Sequence, residues 1–95
     1  RLMERALANR IFTQYEQAYY LWKQARDNSD ENRATFLKEV LNYYTSRLLR
    51  NPRLIWYWDK KGGNLQSLYE LDTITYYTEN VKPKKQSQDA TGPFN

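Results

Sequence analysis

Met3, Leu7, Ile11, Tyr15, Ala18, Trp22 and Ala25 follow one another at spacings of three or four residues, which places them on one stripe of a helix. Ala8, Phe12 and Tyr19 widen that stripe. No Gly or Pro interrupts residues 2–26, and their Ala, Leu, Gln, Glu and Arg content favours helix. A helix of this length with one apolar side needs a second apolar surface to cover it. The rest of the chain is read as the supply of that cover.

The first candidate comes directly after a polar break. Asp27 to Asn32 is rich in side chains that compete for nearby backbone donors. Ser29 is predicted to cap a second helix, with Asp30 and Glu31 in its first turn where the helix dipole favours negative charge. That helix is predicted over about residues 30–50. Leu37, Leu41, Tyr44 and Leu48 form its inner row, flanked by Phe36, Val40 and Leu49, and Arg47 and Arg50 fall in its last turn. Asn51-Pro52 stops it, because the residue before Pro is pushed out of helical geometry. Two striped helices joined by a short polar break read as an antiparallel helical hairpin.

Beyond it the elements shorten. Asn51 and Pro52 suit a helix start, and Gly62 suits the position after a helix end, so a short helix is predicted over about 52–61. Its apolar face is Leu54, Ile55 and Trp58. A strand competes there, since Ile-Trp-Tyr-Trp has high β-propensity. Another short helix is predicted over about 64–71, with Leu65, Leu68 and Leu71 on one side. Residues 72–78 stay ambiguous: β-branched and aromatic content favours an extended form, yet a lone strand has nothing to pair with. The reading is therefore an all-α domain over residues 1–80, followed by a flexible polar tail over 81–95. The helical pattern is already under way at Arg1, which reads as a fragment of a longer chain.

Composition excludes much chemistry. With neither His nor Cys, zinc, haem and iron–sulfur sites lose their usual ligands, and Ser–His or Cys–His nucleophiles cannot form. The acid clusters are Glu70 with Asp72, and Asp27 with Asp30 and Glu31. Both read as turn and helix-start charges. Gly62-Gly63 lacks the further glycines and Lys-Ser/Thr of a phosphate-cradling loop. The row Phe12, Tyr15, Tyr19 and Trp22 has the spacing of a ligand cage, but such a stripe reads first as core. No catalytic residue, cofactor, metal or small-molecule substrate is expected. The longest stretch between charged residues has eight members, far short of the about 20 that span a bilayer.

Charge is concentrated. The chain carries a net +4, and all of that excess lies between Arg47 and Lys61, where five bases meet one acid. Trp56, Tyr57 and Trp58 are consecutive inside this segment, and a helix cannot bury all three in one core. At least one ring is expected to face outward beside Arg50, Arg53 or Lys60. Such residues dominate protein-interface hot spots, so Arg47, Arg50, Arg53, Trp56, Tyr57, Trp58, Lys60 and Lys61 are the predicted partner-binding set. A membrane surface competes, as rings and cations favour that layer. Nucleic acid, through phosphate contacts and base stacking, is the other alternative.

The phrase Tyr15-Glu16-x-Ala18-Tyr19-x-Leu21, followed by Asn51-Pro52-Arg53-Leu54 and Tyr57-Trp58, resembles a pattern in small bacterial proteins of unknown function. Those often carry a membrane anchor ahead of a short helical domain. The likeness touches roughly residues 10–60, and Gln14 stands where a basic residue or His often precedes the first phrase. The resemblance implies an upstream transmembrane segment and no activity. The functional expectation is a non-enzymatic accessory or scaffold subunit of a larger assembly. It is expected to be intracellular, with membrane association supplied by such an upstream segment.

Overall fold

The computed structural model describes residues 2–81, and all regular elements among them are helical. Arg1 and residues 82–95, with nearly all of the expected polar tail, lie outside the described residues. Val81, assigned to that tail, is instead buried in the core.

Helix α1 (Leu2–Asp27) ends in a turn that redefines one residue. Asp30 N–H donates to the Ala25 carbonyl at 2.9 Å and Ser29 N–H to the Arg26 carbonyl at 3.1 Å. With Ser29 at φ 57°, this is a Schellman stop. Ser29 therefore terminates α1 and does not cap the next helix. That role passes to Asp30, whose carboxylate accepts from Arg33 N–H at 3.3 Å.

Helix α2 (Glu31–Ser46) packs back along α1 as the predicted hairpin. It stops four residues short of the expected end. Thr45 Oγ1 donates to the Leu41 carbonyl and Ser46 Oγ to that of Asn42. Such back-bonding by successive Thr and Ser bends a helix. Arg47 then leaves helical geometry, a 3₁₀ turn follows over Leu48–Arg50, and Leu49 swings fully inside.

Helix α3 (Pro52–Trp58) starts as read: Asn51 Oδ1 accepts from Arg53 N–H at 2.8 Å and from Leu54 N–H at 3.4 Å. It ends at Trp58, three residues early. The loop after it folds back on its last turn, with Gly63 N–H donating to the Trp56 carbonyl at 2.9 Å. Gly62 is needed for that close approach and not for a left-handed cap, since a Cβ there would collide with the Trp56 carbonyl and ring.

The helix predicted over 64–71 is only a 3₁₀ turn, Leu65–Leu68. Leu65 is buried, but Leu68 and Leu71 point outward, so these three leucines do not share a covered side. The ambiguous segment is helix α4 (Leu71–Asn80). A carboxylate from α1 helps set its start: Glu16 Oε2 accepts from Glu70 N–H at 3.1 Å and from Thr73 Oγ1 at 2.6 Å. Thr73, Tyr77 and Val81, spaced by four, are its buried row.

The core is aromatic. Trp58 stacks on Tyr77 at 4.5 Å and meets Phe12 at 4.7 Å and Tyr69 at 5.6 Å between ring centroids. These contacts tie α1, α3, the residue after the 3₁₀ turn and α4 together. Along the hairpin, Tyr15 meets Tyr44 at 5.9 Å.

Candidate interaction surface

The expected partner-binding segment is divided by the fold. Trp58, 1% exposed, belongs to the core. Trp56, followed directly by the buried Tyr57 and Trp58, is 56% exposed and lies edge-to-face with Tyr57 at 5.0 Å. A helix turns about 100° per residue, so three consecutive rings fan outward and one must leave the core. Arg50 is half-buried and donates from Nε to the Thr45 carbonyl at 3.3 Å. Arg47, Lys60 and Lys61 are exposed.

Arg53 and Tyr57 converge on a residue that sequence reasoning passed over, Glu4. Arg53 donates Nε to Glu4 Oε2 at 2.8 Å and Nη2 to Oε1 at 3.2 Å. Tyr57 Oη donates to the same Oε1 at 2.8 Å. The Arg53 bonds first, and then the Tyr57 bond, hold the Glu4 carboxyl below its ordinary value, and the bond to Glu4 pushes the Tyr57 phenol up. Arg5 adds a bond from Nη1 to the Gly63 carbonyl at 2.8 Å. The first turns of α1 are thus clamped to α3 and its following loop.

Beside the clamp lies a groove of about 320 Å³. Ala8, Ile11, Leu48 and Leu54 supply its apolar lining, and Glu4, Arg53 and Tyr57 form one wall. Leu7 edges it at 57% exposure, and Met3, one turn earlier, is 75% exposed. Both had been placed on the covered stripe. Their spacing matches that of Ile11 and Tyr15, so nothing in the sequence marks where the cover stops. Arg47 and Arg50 flank Leu48, one of the lining residues, in sequence. The groove thus sits in a basic setting whose only carboxylate among these residues, Glu4, is already paired.

The aromatic row of α1 is packed within the fold. Tyr19 meets Tyr76 at 4.6 Å, and Lys38 Nζ lies 4.6 Å from the Trp22 ring centroid and 3.3 Å from Tyr76 Oη. Of the acid clusters, Asp72 pairs with Lys23 at 3.1 Å and Asp30 caps α2. Among the described residues, no group of three or more His, Cys, Asp or Glu converges as a metal site, and no helix is long and apolar enough to cross a membrane. The chain matches no protein-family description, and comparison with curated proteins and solved structures finds nothing significantly similar.

Proposed function

We propose that the chain is a non-enzymatic protein-interaction module, an accessory or scaffold subunit of a larger assembly. It docks at the corner where the start of α1 meets α3. The observation that carries this reading is the groove itself: an apolar trough edged by the exposed Leu7, with its polar wall locked by the Glu4–Arg53–Tyr57 clamp. A rigid polar wall beside an apolar floor presents a preformed surface to a partner. Trp56, packed on Gly62 one helical turn from Arg53, adds an aromatic anchor of the kind that dominates binding energy.

The test compares the wild-type chain with Leu7→Asp and Trp56→Ala in capture from the native source, followed by calorimetry with the captured protein. Trp56→Ala is expected to weaken binding by about 2 kcal/mol or more if the ring is a hot spot. Leu7→Asp is expected to abolish it, with the thermal midpoint unchanged in both. A loss of folding stability with affinity intact would reduce the corner to a core edge.

The alternative is nucleic-acid binding through the same basic and aromatic residues, favoured by the exposure of Trp56 near Lys60 and Lys61. Against it, Arg53 is committed to Glu4 and Arg50 to a backbone carbonyl. That leaves Arg47, Lys60 and Lys61 as the exposed cations of the segment without such a commitment. Affinity falling steeply with salt would favour this alternative, and a flat response would remove it.

A further inference from the structure

We propose that the groove receives a second copy of this chain, through the leucines that flank the start of α4. This rests on the groove being the docking site proposed above, and it names the occupant.

Leu68, the last residue of the 3₁₀ turn, and Leu71, the first of α4, are 64% and 74% exposed. Such apolar knobs at an element junction contribute nothing to the chain's own core. Tyr20 of α1 extends the patch: its ring lies 4.8 Å from Lys23 Nζ, which in turn pairs with Asp72. Around these side chains the charge is acidic. Glu70 and Asp72 bracket Leu71 in sequence, and Glu16 reaches the Glu70 backbone. Three carboxylates face one ammonium. The groove has the opposite character: Arg47 and Arg50 flank Leu48 of its lining in sequence, and its one carboxylate, Glu4, is paired with Arg53. Apolar knob and apolar groove therefore carry complementary rims.

Within one molecule they cannot meet. Glu4, Leu7, Ala8 and Ile11 of α1 face the groove, whereas Asn9, Thr13, Glu16 and Tyr20 face the 3₁₀ turn and α4. At about 100° per residue these two sets lie roughly 160° apart around the helix. Knob and groove are thus on opposite sides of α1, and the contact joins one copy to the next. Such a contact is head-to-tail: every added copy leaves one knob and one groove open, so association propagates or closes into a ring. Its volume is at the small end of binding pockets, which run about 300–1,000 Å³. A contact confined to so small a groove is expected to be weak, and salt weakens it further because its rims are charged.

Sedimentation equilibrium of the full 95-residue chain tests this, using Leu7→Asp to spoil the groove and Leu68→Asp with Leu71→Asp to spoil the knob. These sites are exposed, and circular dichroism melting checks that each variant folds. The wild-type mass is expected to climb with concentration beyond that of a dimer, or to plateau at a ring, and to fall in high salt. Each variant alone is expected to be monomeric. An equal mixture of the two is expected to give a one-to-one dimer that grows no further, since one supplies the intact knob and the other the intact groove. A wild-type chain that stays monomeric overturns the proposal, as does association that survives in either variant, or a mixture that stays monomeric. Capture of a different protein, lost in Leu7→Asp but kept in the Leu68→Asp, Leu71→Asp double variant, would retain the docking corner while removing the second copy as its occupant.

Discussion

At the residue scale, two carboxylates of α1 each tie a later helix to it. Glu4 receives three bonds from α3, and Glu16 receives two from the start of α4. Because the clamp lowers the Glu4 carboxyl from its ordinary 4.5, its contribution to stability is present above pH 4.5 and is lost as pH falls through the depressed value. Glu4→Gln is expected to flatten the acid limb of a stability-against-pH curve in that window, measured by urea unfolding at stepped pH. A slope equal to wild type would mean that the clamp does not form in solution. Two phenols present the opposite case. Tyr15 and Tyr77 are fully buried, and their hydroxyls find no hydrogen-bond partner among the described residues. Burial pushes both well above the ordinary 10. A buried hydroxyl without a partner costs about 1–3 kcal/mol, so Tyr77→Phe is expected to be neutral or to stabilise by about 1 kcal/mol in chemical unfolding. A loss above that size would show that the hydroxyl has a partner in solution.

At the element scale, the helices are delimited by local chemistry that differs in kind from end to end. Ser29 holds a left-handed conformation that ordinarily costs a non-glycine residue roughly 1–2 kcal/mol. Ser29→Gly relieves that strain and gives back part of the gain through a freer unfolded chain. The expected net stabilisation is about 0.5–1 kcal/mol, read from a thermal melt. A destabilised variant would mean that Ser29 caps α2 after all. Helix α4 shows the reverse dependence. Its Thr-Ile-Thr-Tyr-Tyr run leans towards strand, and no strand lies beside it among the described residues. Glu16 from α1 and the burial of Thr73, Tyr77 and Val81 settle it as helix. Propensity is a weak prior of tenths of a kcal/mol per residue, and tertiary burial outweighs it.

At the scale of the whole molecule, Trp58 is the joint. It touches rings from α1, from the segment after the 3₁₀ turn and from α4. Trp58→Ala is expected to cost about 3–5 kcal/mol by equilibrium denaturation, because it opens a cavity where three elements meet. A cost near that of a surface ring would contradict its central place. The hairpin was legible in the sequence because periodic apolar spacing and polar breaks are local signals: α1, α2 and the Asn51-Pro52 start of α3 all follow from them. Composition likewise removed the usual ligands for metal and nucleophilic chemistry before any fold was known. The interaction surface was legible only in part. Adjacent rings guaranteed that one of Trp56, Tyr57 and Trp58 would leave the core, but not which one. Only the tertiary structure decided that Trp56 stays outside, that Met3 and Leu7 run past their cover, and that Glu4 locks α3. A stripe records which side of a helix is apolar and leaves open how far along it a neighbour reaches; that depends on where the covering elements end, and those ends are set by contacts between residues some fifty positions apart.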